Sequence, residues 1–258
     1  MRNCFLLLIC CSILLGILTG CRGDIPFVHS DEEVLIPGDN KAPVTGFFLL
    51  NEGNMGSNKA TIDFFNYETG KYMRNIYPSR NPDVVKELGD VGNEIAVYGD
   101  KLYAVINCSH YVEVMDVHTA KHIGSIDILN CRYIVFNKGK AYISSYAGPV
   151  QIDPNSRPGK VVEVDTASLQ ITREVVVGYQ PEEMVVTDGK LYVANSGGYR
   201  YPNYDTTVSV IDLETFKVIN TIDVAINLHR MAIDRYGRLL QCRSGCVCDR
   251  QQKGQSAR

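Results

Sequence analysis

Tyrosine is concentrated in one place in this 258-residue sequence: SGGYRYPNYDT, residues 196–206, holds Tyr199, Tyr201 and Tyr204, with Arg200 between the first two. A tyrosine ring is a rigid apolar plate with a hydroxyl at its edge, a combination suited to flat ligands and sugars. Matching residue types recur in other turn-rich stretches: Asn51, Glu52, Asn54 and Met55 in NEGNM, Asn107 in NCSH, Tyr146 in SSYAGP, Tyr179 and Gln180 in GYQPEE. Arg132, His229 and Arg230 stand at the start of hydrophobic runs and add donors and charge. The chemistry of this set is adsorption, with aromatic platforms edged by amide and guanidinium donors. Tyrosine and proline also pack loops onto their neighbours, and at each position that reading stands beside the binding one.

Signals for catalysis are missing. No HExxH, GxSxG or Walker loop occurs, and no two carboxylates have a recognisable catalytic spacing, so the chain reads as a non-enzyme. Asp153-Pro154-Asn155 lacks the later carboxylates of a calcium loop and reads as a proline turn. Cys242, Cys246 and Cys248 have no histidine nearby and no zinc spacing, so neither metal nor cofactor is expected. His118 and His122 fall on a hairpin, where solvent-facing side chains are expected. Cys108 and Cys131 either pair, as an exported chain permits, or remain two buried thiols. The net charge of −3, with Lys and Arg dispersed, gives no footprint for nucleic acid.

The elements that must carry these residues are strands. From Phe47 onward, short runs rich in Val, Ile, Tyr and Thr alternate with turn residues, which predicts an all-β chain. Four segments align as strand, Gly turn, strand: NEIAVYGDKLYAVIN at 93, CRYIVFNKGKAYISSY at 131, PEEMVVTDGKLYVANS at 181 and LHRMAIDRYGRLL at 228. A second set aligns around Asn66, Asp116, Asp165 and Asp212, where a short polar side chain accepts bonds from the amides of a turn. The turn glycines Gly99, Gly139 and Gly189 are 40 and 50 residues apart, the period of a propeller blade. One four-stranded blade cannot cover both its faces, whereas stacked blades cover one another.

A β-propeller is therefore expected, with four to five blades' worth of sequence: the last three strands of one blade, three whole blades and the start of another. If strands run A to D outward, the B to C and D to A connections share one face. The long inserts 52–59, 147–160 and 196–206 are all B to C, and 78–92 is D to A, so the elaboration gathers on one face.

The ends differ from the middle. MRNCFLLLICCSILLGILTGC has one Arg, an apolar run and small residues before Cys21, which predicts a signal peptide over 1–20 and lipidation of Cys21. Residues 21–46 read as a flexible tether, with Asp24, Asp31, Glu32 and Glu33 loosely matching a surface-export signal. Blades are expected over 47–240. Residues 241–258 show no alternation and no hydrophobic strand, and read as the frameshifted or truncated end of a longer gene, with a genuine disordered C-terminus as the alternative.

The Asp-turn hairpins and "GxLYVAN" runs resemble YncE-like seven-bladed surface propellers. The lipobox, with LNEGNMGSNKATIDFFNYETG, SSYAGPVQIDP, GYQPEEM and VANSGGYRYPNYDTTVSVIDL, is similar to the BtuG-type cobalamin-binding lipoproteins of Bacteroides-type bacteria. That resemblance implies a lipid-anchored outer-membrane protein at the cell surface or on the periplasmic side. It also implies capture of cobalamin or a related nutrient on the loop-rich face, then handover to a TonB-dependent outer-membrane transporter. Amide-fringed, planar corrinoids suit Tyr, Asn, Gln and Arg side chains, as glycans also do. An adhesion propeller without a small ligand, and a lactonase or quinoprotein-like enzyme, are the alternatives. Against the enzyme, the inner-strand starts Glu94, Arg132, Glu182 and Arg230 mix signs rather than converge acids.

Overall fold

Alternating apolar residues between tight turns leave this chain one way to bury its surface, as hairpins joined edge to edge and stacked face to face. The computed structural model describes residues 30–38, 44–84 and 87–243. Three sheets are complete antiparallel meanders in chain order: β5 (Gly92–Tyr98) to β8 (His122–Asp127), β9 (Cys131–Asn137) to β12 (Ile171–Val176), and β13 (Pro181–Thr187) to β16 (Lys217–Asp223). A first sheet has the order β2 (Gly46–Asn51), β3 (Thr61–Asn66), β4 (Lys71–Arg74), β1 (Asp31–Val34). A last, two-stranded sheet pairs β17 (Leu228–Ile233) with β18 (Leu239–Arg243). The innermost strands β5, β9, β13 and β17 neighbour one another along the arc. The chain is thus an all-β, incomplete propeller of four-stranded blades.

Turn chemistry fixes each hairpin. Lys138-Gly139 and Asp188-Gly189 both take left-handed φ, the two-residue turn whose twist matches the strands it joins. At the outer hairpins, Asn66, Asp116, Asp165 and Asp212 accept the backbone N–H of Thr69, Thr119, Ser168 and Thr215 at 2.9, 2.8, 2.9 and 2.8 Å, as the repeat predicts. The Thr119 hydroxyl together with its N–H holds the Asp116 carboxyl below the usual range, and the Thr215 N–H together with its hydroxyl does the same for Asp212.

Burial follows position in the blade. Strands β6 (Lys101–Ile106), β10 (Lys140–Ser145) and β14 (Lys190–Asn195) are flanked in the sheet and sandwiched between sheets, so Leu102, Ile143 and Leu191 are wholly buried. Each such residue contributes roughly 1.5–3 kcal/mol relative to exposure. The outermost strands β8, β12 and β16 are largely exposed.

Four features depart from the sequence reading. Within the expected tether, Asp31–Val34 is a strand on the outer edge of the first sheet. Its acids meet bases of β4, with Glu32 2.8 Å from Lys71, and Glu33 and Asp31 on Arg74, so the acidic run is paired rather than displayed. The final strand runs to Arg243, past the expected boundary at 240, because backbone pairing with β17 needs no apolar alternation. A short helix, α1 (Ile76–Arg80), buries Ile76 and Tyr77 at the start of the D to A segment, too short to leave a periodic signal. His122 is not simply solvated: its Nδ1 lies 2.6 Å from Glu113, whose other partner is the Tyr77 hydroxyl at 3.0 Å. The leader, Cys21 and residues 244–258 lie outside the described residues.

Candidate functional site

The inserts of the second and third complete blades meet. Residues 146–159 join β10 to β11 (Lys160–Asp165), and 196–206 join β14 to β15 (Thr207–Asp212). Asp153 N–H donates to Tyr199 O at 2.8 Å, and Arg200 Nη2 to Pro154 O at 3.2 Å. The first insert encloses, with Gln180, a 350 Å³ cavity lined by Tyr146, Gln151, Asp153, Asn155 and Arg157, among others. Tyr199 stands at the rim edge-on to Tyr146, ring centroids 6.1 Å apart, and the exposed Tyr201 packs on Tyr204 at 6.1 Å.

Buried polar groups hold this rim. Gln180 spends its carbonyl on Tyr199 N–H at 2.8 Å and its amide on Ser156 at 3.3 Å. The Asp205 carboxylate accepts Tyr179 N–H at 2.7 Å, Thr206 N–H at 2.7 Å, Thr207 N–H at 2.9 Å and the Thr207 hydroxyl at 2.7 Å. Gly178 permits that approach, since a Cβ there would lie 2.6 Å from the Asp205 carboxylate. The Arg200 guanidinium stacks 3.5 Å from the centroid of Tyr179.

Beneath the cavity is a charged cluster. Arg132 contacts Glu182 through Nη2 at 3.1 Å and Nε at 3.3 Å; Ser196 donates to the same carboxylate at 3.2 Å, as does the Tyr146 hydroxyl. The Arg132 guanidinium lies 4.9 Å from the Tyr146 ring centre. Burial, followed by the Glu182 charge, pushes the Tyr146 phenol far above its ordinary pKa, so it stays a donor.

Of the residues singled out from sequence, Tyr146, Tyr179, Gln180, Tyr199, Arg200, Tyr201 and Tyr204 belong to this one region. Arg132 and Asn107 turn inward: Asn107 is buried, its amide donating to Cys131 O at 2.9 Å. Asn51, Glu52, Asn54 and Met55 sit on the first sheet's loop, which Asp90 holds by accepting Gly56 N–H at 2.8 Å. His229 touches the Tyr133 hydroxyl at 3.4 Å, and Arg230 pairs with Glu183 at 2.5 Å on the innermost strands. Cys108 and Cys131 are free thiols, and burial lifts Cys131 to about 12. The sequence reading passed over Asp205, although an Asp before two threonines is a turn-capping signal. Glu182 was noted only as one of several strand-start charges of mixed sign.

Glu94, on β5, accepts Ile134 N–H at 2.5 Å from β9, and burial raises its carboxyl to about 7. An unfolded glutamate titrates near ~4.3, so between that pH and about 7 the folded chain holds the proton more tightly. Stability is therefore expected to fall as pH rises from about 4.5 to about 7, by roughly 1–3 kcal/mol. Glu94→Gln, which cannot ionise, flattens that part of the profile measured by denaturant unfolding. An unchanged slope in Glu94→Gln would refute the assignment.

Among the described residues, no three His, Cys, Asp or Glu side chains converge as a metal group requires. No curated protein matches the chain in sequence. Its structure is similar to the hydrazine synthase of Kuenenia stuttgartiensis, with TM-score 0.54 and 16% identity over 70% of this chain and 49% of that one. It is also similar to BamB of Moraxella catarrhalis (0.49, 14%, 70% and 49%) and to AztD of Citrobacter koseri (0.46, 15%, 70% and 44%). The chain spans about half the length of these structures. The blades observed above agree with a match of residues 45–245 to the DUF5074 profile, and the chain belongs to that family, a domain of unknown function.

Proposed function

We propose that this chain is a non-catalytic binding protein that takes a polar, planar ligand on its loop-bearing face. The observation that carries the reading is the 350 Å³ cavity of the 146–159 insert, lined by Tyr146, Gln151, Asp153, Asn155, Arg157 and Gln180, beside the tyrosine insert that bonds to it. Drug-sized ligands occupy sites of about 300–1,000 Å³, so this one suits a single substituent of a larger molecule whose body rests on Tyr199 and Tyr201. A corrinoid has that form: a flat ring carrying amide arms. The similarity of the lipobox and loop motifs to corrinoid-binding surface lipoproteins favours it. On that reading the chain is anchored by Cys21 in the outer membrane and passes cobalamin to a TonB-dependent transporter.

Equilibrium dialysis of the full chain against cyanocobalamin tests this. A dissociation constant of about 1 μM is expected, weakened about tenfold in Tyr199→Ala. No retention of cyanocobalamin at ~100 μM rules out the corrinoid.

A further inference from the structure

The insert 146–159 belongs to a complete blade, and the protein fixes its backbone at points along its length. Asn130 Nδ2 donates to Gly148 O, Asp153 N–H to Tyr199 O at 2.8 Å, and Gly159 N–H to Gly178 O at 2.9 Å. Gln180 Nε2 reaches the Ser156 hydroxyl at 3.3 Å, and Arg200 Nη2 the Pro154 carbonyl at 3.2 Å. A loop held this way presents its remaining side chains in set positions, so a ligand meets them without first ordering the loop.

Those remaining side chains include an uncommitted cation. Arg132, Arg173 and Arg230 each pair with a glutamate, and Arg200 spends its guanidinium on the Pro154 and Asn203 carbonyls. Arg157 lines the cavity, yet it has no hydrogen bond, ion pair or ring contact among the described residues. Its Nε lies over the turn at Gly148, 3.8 Å from where a Cβ there would stand, so the head group follows the cavity wall that Gly148 also lines. Asp153, the acid on the same wall, accepts the Asn155 N–H at 2.8 Å and makes no ion pair with Arg157. The side-chain amides of Gln151 and Asn155 are likewise unspent among the described residues. A guanidinium is a planar fork of donors that matches the paired oxygens of a carboxylate or a phosphate. With one arginine and one aspartate on the wall, a single negative charge is accommodated better than two.

We propose that Arg157 makes this cavity selective for a monoanionic oxyanion, a carboxylate or a phosphodiester, borne by the planar ligand. The inference rests on the reading of this cavity as the ligand site, and adds the charge of the group that enters it. The oxyanion lies against the Arg157 fork, Gln151 and Asn155 donate from their amides, and Asp153 accepts from a neighbouring N–H or O–H. In a corrinoid, the phosphodiester of the nucleotide loop is such a group.

Ligand-observed NMR titration of the full chain tests this with three probes that share a phenyl ring: benzoate, methyl phenyl phosphate and neutral benzamide. Each anion is expected to bind about tenfold tighter than the amide. Arg157→Gln is expected to erase that preference and leave the affinity for benzamide unchanged. Arg157→Lys, which keeps the charge without the fork, is expected to retain part of it. A preference for one anion over the other supports the proposal and identifies the group as carboxylate or phosphodiester. Equal binding of anions and amide overturns it, as does a preference that persists in Arg157→Gln, or no binding of any probe at ~10 mM. Dialysis against cyanocobalamin and dicyanocobinamide, which lacks the phosphodiester, separates this inference from the proposed function. Equal retention of both, unaffected by Arg157→Gln, keeps the corrinoid reading and overturns selection by Arg157. Retention of neither, with the anion preference intact, keeps the Arg157 site and removes the corrinoid.

Discussion

Replacing Glu182 by Ala lowers the unfolding free energy by about 3–5 kcal/mol, the largest effect of a single substitution expected in this chain. The reason is what the substitution leaves behind. The Arg132 side chain is 14% exposed and its carboxylate partner 5%, so removing the acid strands a guanidinium that has given up its water. The Tyr146 hydroxyl and Ser196 lose their acceptor in the same step. A buried donor without a partner costs about 1–3 kcal/mol. The cation also rests against the Tyr146 and Tyr133 rings, 4.9 and 5.7 Å from their centres, and that stacking keeps it from swinging out to solvent. Denaturant unfolding at constant pH measures the loss. Glu182→Gln, which still accepts, is expected to lose less. The double replacement Glu182→Leu with Arg132→Met removes both charges together and recovers most of the stability. A loss under about 1 kcal/mol in Glu182→Ala would mean that Arg132 rehydrates, and that the cluster does not support the cavity floor.

The second large effect falls on the tyrosine insert. Asp205→Ala removes one carboxylate that four donors share, three of them backbone or side-chain groups of Thr206 and Thr207 and the fourth Tyr179 N–H. Bonds to a charged acceptor contribute roughly 1.5–3 kcal/mol each, but solvent replaces several near the surface, so a net loss of about 2–4 kcal/mol is expected. The local consequence is sharper than the global one. Arg200 is held against Tyr179 and bonds Pro154 O and Asn203 O, which protects the Arg200–Tyr201 bond from trypsin. In Asp205→Ala the insert opens, and cleavage after Arg200 is expected at least tenfold faster while the strand core remains intact. Limited proteolysis read by mass spectrometry decides the matter. Unchanged cleavage at Arg200 would show that the stacked arginine, not Asp205, fixes the loop. Asp205→Asn keeps one accepting oxygen and is expected to fall between.

The Tyr146–Glu182–Arg132 cluster and Asp205 also explain why the rim residues differ in kind. Tyr199 and Tyr201 are exposed and free to meet a ligand. Gln180 and Arg200, which have the same donor chemistry, spend their hydrogen bonds on the protein. They shape the site, while Gln151, Asn155 and Arg157 present side chains to the cavity.

The sequence alone determined the repeat. Alternation, turn glycines and the aligned Asn66, Asp116, Asp165 and Asp212 are local signals, because a hairpin's register depends on residues a few positions apart. Those signals place the insert 196–206 between β14 and β15 and gather the long loops on one face. What only the tertiary structure decided is which polar residues face a ligand and which hold the protein together. Arg132 and Glu182 are 50 residues apart, and Glu113 and Tyr77 are 36 apart; no local pattern announces a partner at that distance. Likewise Asp31–Val34 has no apolar alternation, and becomes a strand because β4 offers it an open edge and two bases. Side-chain orientation toward a neighbouring blade is set by packing between sheets, which one strand's sequence specifies only for its own two faces.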